Sequence, residues 1–428
     1  MGAAYLVVLV VLFVLGIPAA FAMGGTSALL SLVERGPGFF MNCGILAQKS
    51  VAGVNNFLLL SVPFFLYAGK VMNTGGITRR IFTFCEHTVG WLRGGLGHVN
   101  ILASVIFAGM TGTAVSDAAG LGAVELKAME DAGYPKKFSV AVTSASSAIG
   151  PIIPPSVPLV IYGMMTSTSI GKLLIAGIVP GILMALGLAV AVEIYAYAHQ
   201  MPKGIPFNLR KIVKSFGQAF FPLMTPVIII GGMTSGFFTP TEASAIAAVY
   251  ATVLSVIVYK EITWKRLWEI IMETAVDTGT IMVIVSMAMI YGYMITRSNI
   301  TMEIARAIAG ISTNPVVIGL ILVAFLMFVG CFMEATAAIT ILSPVFLSIY
   351  QVAGIDPMAF GIVMVLTLMI GLFTPPFGMI LFIMSKLSGI SIRDVVAAIM
   401  PFILPLLAVD ILLAIFPQIV TFLPNLLM

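Results

Sequence analysis

Polar residues are sparse along this chain, and their positions divide it into apolar runs. Such runs cover about residues 5–23, 55–73, 137–165, 174–198, 216–236, 241–259, 275–295, 358–384 and 395–416. Each reaches or approaches the ~20 residues a helix needs to cross a bilayer, so the pattern predicts membrane-spanning helices. Two further runs are interrupted. Ile101–Leu126 is broken by Gly109-Met110-Thr111-Gly112-Thr113, and Val316–Tyr350 by Gly330-Cys331-Phe332-Met333-Glu334. Both predict re-entrant hairpins, which enter and leave on one side of the membrane. Ile77–Trp91 and Thr263–Glu273 carry Arg, Lys and Trp among apolar residues, which suits helices lying in the interface. Ala3–Met23 is expected to be a first transmembrane helix. Ala20-Phe21-Ala22 resembles a signal-peptide cleavage site, but no basic segment precedes the run.

Composition sharpens this picture. Of 428 residues, 60% are hydrophobic and 9% charged, whereas a water-soluble domain carries about 25% charged residues. The net charge of +4 is too mild to point to nucleic acid. Cys43, Cys85 and Cys331 are far apart, and the three histidines, His87, His98 and His199, fall at no metal-ligand spacing. Neither a disulfide framework nor a zinc site is expected.

The chain also repeats itself. A shift of 221 residues superposes Gly109 on Gly330, Ala132-Gly133 on Ala353-Gly354, Ile149-Gly150 on Ile370-Gly371, Pro154-Pro155 on Pro375-Pro376 and Pro180 on Pro401. Gly69 and Ile77-Thr78 match Gly292 and Ile300-Thr301 at a shift of 223. Residues 1–198 and 215–428 are thus read as two repeats, joined by a basic cytoplasmic linker at 199–214. With the N-terminus inside, sixteen Lys and Arg fall at cytoplasmic ends and five outside, these being Arg35, Lys49, Lys172, Arg297 and Arg306. That is the excess expected of cytoplasmic loops. The first hairpin then enters from the cytoplasm and the second from outside, so the repeats are inverted. The expected fold is an all-α polytopic membrane protein with an inverted repeat, two re-entrant hairpins and two broken helices.

Inverted repeats with broken helices characterise secondary transporters. An unpartnered backbone N–H or C=O in lipid costs several kcal/mol, so unwound backbone at mid-depth needs a polar ligand. Freed carbonyls can bind Na⁺, and helix N-termini can face an anion. The second pair of breaks lies at Ser144–Ser156, which contains Ile149–Ser156, and at Gly371–Gly378. There, double prolines after glycine prevent a continuous helix. Candidate ion-site residues are Gly109, Gly112, Asp117, Gly150, Gly330, Glu334, Thr336, Gly371 and Gly378. Candidate substrate contacts are Thr111, Thr113, Pro155, Ser156 and Thr374. Ser144, Ser146 and Ser147 lie close by. A hydroxyl in a membrane helix commonly bonds back to the preceding turn, and a proline can simply kink a helix. The functional reading rests on glycine, hydroxyl and proline recurring in both halves. Asp117 and Glu334 stand beside the hairpin breaks in apolar surroundings, where a carboxylate is costly. The alternative for both is a hairpin tip wet enough to solvate the charge. Glu242, in Thr239-Pro240-Thr241-Glu242, reads as a helix start.

At these motifs the sequence resembles the large membrane subunit of the tripartite ATP-independent periplasmic (TRAP) transporters, along essentially the whole chain. Leu66–Ile77, Arg93–Asn100, Ile149–Ser156 and Gly236–Ala243 carry the resemblance. It implies an elevator in the bacterial inner membrane, a four-helix small membrane subunit, and a periplasmic substrate-binding protein. It also implies uptake of an organic acid driven by Na⁺ without ATP. Family ion sites map onto Asp117 and Glu334, and substrate contacts onto the hydroxyls near Thr111, Thr113 and Ser156. Gly122–Lys127 looks closer to sialic-acid members than to dicarboxylate members. An intramembrane enzyme and an ion channel are the alternatives; no histidine lies near the breaks to serve a catalytic set.

Overall fold

The computed structural model describes residues 2–35, 39–201, 204, 206–375 and 377–427, without the side chains of 2, 3, 14, 34, 35, 39–43, 111 and 309. The first half contains α1 (Gly2–Val14), α2 (Ala19–Arg35), α3 (Phe39–Val54), α4 (Ser61–Thr74), α5 (Ile77–Val89), α6 (Gly95–Thr111), α7 (Ala114–Asp131), α8 (Lys136–Ser146), α9 (Val157–Thr166), α10 (Ile170–Ala176) and α11 (Ile178–Ala198). The second contains α12 (Leu209–Thr234), α13 (Pro240–Thr252), α14 (Trp264–Arg297), α15 (Ile300–Ile311), α16 (Pro315–Gly330), α17 (Ala335–Ala353), α18 (Pro357–Gly371), α19 (Met379–Ser388), α20 (Ile392–Ile415) and α21 (Gln418–Leu427). Among the described residues, seven helical stretches are long and apolar enough to cross a membrane. The chain is a polytopic all-α membrane protein.

The element order repeats at the spacing read from the sequence. Moved by 221, α2, α7, α8 and α9 begin where α13, α17, α18 and α19 begin, to within one residue. The starts are set by capping residues. Thr113, Ser156 and Glu334 accept N–H bonds from the first turns of α7, α9 and α17. Asn314-Pro315, Thr239-Pro240 and Asp356-Pro357 pair a capping side chain with a proline at the first helical position. The two halves interlock. In the outer layer α2 packs on α14 and α13 on α4, while inside α9 packs on α17 and α19 on α7. The core lies around α8, α9 and α18; α9 packs on α18, and every residue of α18 from Ala359 to Gly371 is buried.

Three expectations change. Ala3–Met23 is not one helix: the chain turns at Leu15–Pro18, with Gly16 at φ +80, because glycine followed shortly by proline ends α1. Thr263–Glu273 is the first part of the 34-residue α14 rather than a separate interfacial helix, since no glycine or proline stands between it and the apolar run. α3 is added, and the basic linker becomes helical at Leu209. Lys203 and Pro376 lie outside the described residues.

Candidate functional site

The candidate site is two chain breaks, before α9 and α19, facing two turns, α6–α7 and α16–α17, the tips of the hairpins expected from the sequence. In the first half, α6 ends on Gly112, whose φ of +66 suits glycine. Its carbonyl accepts the N–H of Val157, the first residue of α9, at 3.3 Å. A Cβ at Gly112 would stand 2.8 Å from the Pro155 carbonyl oxygen, so glycine is also what lets the tip touch the break. Gly109, expected in the break, is helical and lies against Pro226 of α12. Thr113 Oγ1 accepts the Ser116 N–H at 3.3 Å. Ser156 Oγ accepts the Leu159 N–H at 3.2 Å and donates to the Pro151 carbonyl. Pro155 follows Pro154 through a cis peptide bond. The Thr111 side chain lies outside the described residues.

Gly150 brings the acid into this arrangement: a Cβ there would be 3.7 Å from both Asp117 Cβ and the Thr113 carbonyl oxygen. Asp117 is 2% exposed. Neither of its carboxylate oxygens has a hydrogen-bond partner among the described residues, although the Ser104 hydroxyl faces it. The serines nearby hold their protons locally. Ser144 donates to the Val140 carbonyl at 2.6 Å and Ser147 to the Ser144 carbonyl at 2.7 Å. Ser146 donates to Asn100 Oδ1 at 2.7 Å, and Asn100 Nδ2 donates to Thr143 Oγ1 at 2.6 Å. A hydroxyl that has spent its proton keeps lone pairs for a cation.

The second half repeats the backbone with different side chains. Gly378, the residue 221 beyond Val157, donates its N–H to the Cys331 carbonyl at 3.2 Å. A Cβ on Gly378 would meet the Thr374 and Leu372 carbonyl oxygens at 3.0 and 3.1 Å, so these oxygens crowd the start of α19. Gly330 and Gly371 touch backbone to backbone; a Cβ on Gly371 would lie 2.5 Å from the Gly330 carbonyl carbon. Glu334 stands where the first half has Thr113. Its Oε2 accepts the Ala337 N–H at 3.0 Å, and its Oε1 accepts the Thr336 hydroxyl at 2.9 Å. Thr374 bonds back to the Ile370 carbonyl at 2.8 Å. Asp117 and Glu334 are therefore not equivalent: the counterpart of Asp117 is Ala338, and that of Glu334 is Thr113.

Two acids were passed over in the sequence because neither adjoins a glycine-rich break. Asp410 on α20 is fully buried, with Oδ2 accepting the Thr367 hydroxyl at 2.7 Å and Oδ1 unpartnered among the described residues. Glu125, two turns beyond Asp117 on α7, is 1% exposed with Oε1 unpartnered. A lone acid deep in an apolar run was the available signal for Asp410. Glu242 closes a capping box with Thr239. Among the described residues no three His, Cys, Asp or Glu cluster as a transition-metal site would need. The oxygens here, from carbonyl, hydroxyl and carboxylate, suit a hard cation instead.

Known proteins carry the same pattern. The model of the tripartite ATP-independent periplasmic transporter DctM component matches residues 6–419. The sialic acid TRAP transporter large permease protein SiaM of Vibrio cholerae is 42% identical over 383 residues, covering 89% of both chains. The sialic acid TRAP transporter permease protein SiaT of Haemophilus influenzae is 40% identical over 89% of this chain and 62% of its own length. The C4-dicarboxylate TRAP transporter large permease protein DctM of Pseudomonas aeruginosa is 36% identical over 89% of both. Among solved structures, the YdaH transporter of Alcanivorax borkumensis superposes with a TM-score of 0.68 at 15% identity. The match covers 96% of this chain and 98% of that one, a likeness of fold.

Proposed function

The chain belongs to the DctM component family of the tripartite ATP-independent periplasmic transporters, and from that premise we propose that it moves its substrate as a Na⁺-coupled elevator. It is a transporter component and not an enzyme, serving TRAP-type secondary transport of an organic acid delivered by a periplasmic binding protein. In this reading residues 1–198 and 215–428 are inverted repeats in the bacterial inner membrane. α6–α7 and α16–α17 are re-entrant hairpins, and α8–α9 and α18–α19 are the broken helices. A four-helix small membrane subunit completes the scaffold. Sialic acid is the favoured substrate, with a C4-dicarboxylate or another carboxylate next, because the sialic acid relatives share 42 and 40% of residues against 36% for the dicarboxylate one.

One observation carries the reading: each hairpin tip accepts a backbone bond from the second segment of its own broken helix, Gly112 from Val157 and Cys331 from Gly378. Opening either pair would free a carbonyl and an N–H together. Na⁺ would be held in the first half by Asp117 with oxygens around Gly109, Gly112 and Gly150. In the second half, oxygens around Gly330, Gly371 and Gly378, with Glu334 and Thr336, would do the same. The ion supplies the positive charge that makes buried carboxylate and freed carbonyls tolerable. The N-termini of α9 and α19 then favour the substrate anion, and Thr111, Thr113, Pro155, Ser156 and Thr374 line its place.

The test is uptake into proteoliposomes holding this chain and its small subunit, with the binding protein added outside. Labelled sialic acid or succinate is the substrate, with and without an inward Na⁺ gradient. Gradient-dependent uptake requiring all three proteins is expected. Uptake by this chain alone, or uptake indifferent to Na⁺, would overturn the proposal.

A further inference from the structure

The stretch Arg93–Asn100, singled out in the sequence, ends on a residue that the transport reading leaves without a task. Asn100 is fully buried on α6. Its side chain offers a carbonyl acceptor and an amide donor, and both are used across a helix interface. Oδ1 accepts the Ser146 hydroxyl at 2.7 Å, and Nδ2 donates to Thr143 Oγ1 at 2.6 Å. Ser146 and Thr143, both on α8, are 0 and 1% exposed. Asn100 thus links the first arm of the expected hairpin to the helix before the break. Buried amide and hydroxyl groups are costly to unpair, so the two bonds hold α6 and α8 at one spacing.

The link stands beside the acid. One turn further along α6, Ser104 is 1% exposed and faces Asp117. Residues i and i+4 share a helix face, so one face of α6 serves both α8 and Asp117. Ser146 is the last residue of α8, and Gly150, where the break meets Asp117, follows four residues later.

The second half lacks this arrangement. Moved by 221, Asn100 and Thr143 become Ile321 and Met364, while Ser146 becomes Thr367. α16 packs on α18 as α6 packs on α8, but two of the three linking positions are apolar. The Thr367 hydroxyl turns to Asp410 on α20, at 2.7 Å, and not to its own hairpin. The hydroxyl is repeated and its partner is not. Only in the first half does a hydrogen bond at this position tie the end of the helix before the break to the hairpin.

We propose that Asn100 is a positioning residue for the cation at Asp117 and that it sets which ion the first-half site accepts. The proposal rests on the Na⁺ reading of Asp117 above and adds a residue outside the ligand set. The ligands come from two segments. The hairpin supplies Asp117 and the Thr113 carbonyl, and the break supplies the oxygens around Gly150. A cage of oxygens separates cations of equal charge by its size and rigidity. Ligands on two segments keep a fixed cage only where those segments are tied, and Asn100 ties them. Without it the ligands remain, but the cage relaxes around ions of other sizes.

The test reads ion binding apart from uptake. The purified complex of this chain with its small subunit is unfolded thermally in rising Na⁺ or Li⁺, with choline holding the ionic strength. In Asn100→Leu the Na⁺ concentration giving half of the stabilisation should rise about tenfold, the size of one or two lost buried hydrogen bonds. The preference for Na⁺ over Li⁺ should narrow at least about threefold. Ser146→Ala removes one of the two bonds and should raise the Na⁺ half-saturation about threefold. The double variant should be no worse than Asn100→Leu alone, because both changes cut the same link. A lower midpoint without Na⁺, joined to unchanged Na⁺ half-saturation and unchanged ion preference, would make Asn100 a packing residue and overturn the proposal. If Asn100→Leu does not fold, an unchanged ion response in Ser146→Ala overturns it equally. Asp117→Asn is measured alongside. A Na⁺ response that moves in Asp117→Asn but in neither of the other variants removes the positioning role alone. A response unmoved by Asp117→Asn removes the Na⁺ reading of Asp117, and the positioning role with it.

Discussion

The break before α9 is buried throughout, and the break before α19 is buried only in its first part. Gly150 through Ser156 are all buried, whereas Thr374 and Pro375 are half-buried and Phe377 is 57% exposed. Phe328, Phe332 and Phe377 form a run of tilted rings with centroids 5.0 and 5.7 Å apart. The first-half counterparts of Phe332 and Phe377 are Thr111 and Ser156. One backbone arrangement is therefore used twice, with hydroxyls on one side and phenylalanines on the other. On the proposed mechanism both halves would expose carbonyls to a cation when a tip lifts from its break. The fully buried Ser156 hydroxyl, and a carboxylate whose oxygens have no hydrogen-bond partner among the described residues, belong to the first half. Duplicating the backbone keeps the two halves geometrically alike where their side chains differ.

The largest expected effect follows from the glycine contacts, where the halves differ most. A methyl group on Gly371 meets only backbone of Gly330, at 2.5, 2.6 and 3.0 Å, and backbone cannot rotate away. The same group on Gly150 meets nothing closer than the Ser147 carbonyl oxygen at 3.4 Å. Gly371→Ala should therefore destabilise the folded protein by about 1–3 kcal/mol, the usual cost of overpacking. Gly150→Ala should stay within about 0.5 kcal/mol. Unfolding midpoints of the two variants in the same detergent decide it. Equal shifts would mean that the tight glycine pair does not distinguish the second half.

Much of this was readable in the sequence because helix breaks are written in backbone chemistry. Proline lacks an N–H, and glycine tolerates positive φ. Pro154-Pro155 and Pro375 therefore mark openings whatever surrounds them, and the 221-residue spacing carried the element order with it. Side-chain roles were less legible. Glu334 and Asp117 look alike as acids beside glycine, yet one caps a helix in the turn where the other half has Thr113, and the other is buried facing only the Ser104 hydroxyl among the described residues. That difference depends on where α8 and α18 pass in space. Asp410 was missed for the same reason: Thr367, its partner, is 43 residues away. The turn between α1 and α2 needed only Gly16 and Pro18, but the unbroken hydrophobicity around them concealed it.

The next effect separates the two acids. Asp117 is enclosed, and beyond the Ser104 hydroxyl that faces it nothing among the described residues supplies its carboxylate with a hydrogen bond, so a cation is the partner that would offset its desolvation. Asp117→Asn keeps the shape and removes the charge. The Na⁺ concentration giving half-maximal uptake should rise about tenfold, equivalent to about 1.4 kcal/mol. Because ion and substrate coupling is reciprocal, apparent substrate affinity should fall most at low Na⁺. Uptake titrated with Na⁺ at two substrate concentrations measures both. An unchanged Na⁺ dependence would make Asp117 a passive member of the fold and place ion binding on carbonyls and hydroxyls alone.

Glu334 should give the smallest effect, and its variants separate capping from ion binding. Both carboxylate oxygens already accept hydrogen bonds, from Ala337 N–H and from Thr336 Oγ1. An ion at this tip would share those oxygens rather than rescue a bare charge. Glu334→Thr places in the second half the residue that caps α7 in the first. Thr113 performs that task with a single oxygen, so the substitution should cost well under the roughly 1 kcal/mol of a lost cap. Glu334→Ala loses the cap altogether and should cost about that much. If capping is the main role, the threonine variant transports with a Na⁺ half-saturation within about threefold of the parent, while the alanine variant is visibly less stable. If the carboxylate is an ion ligand of the same rank as Asp117, threonine restores stability but not Na⁺ affinity. A tenfold rise in half-saturation in the stable threonine variant would then show that the two halves share their ion chemistry after all, with the acid moved four residues along the hairpin.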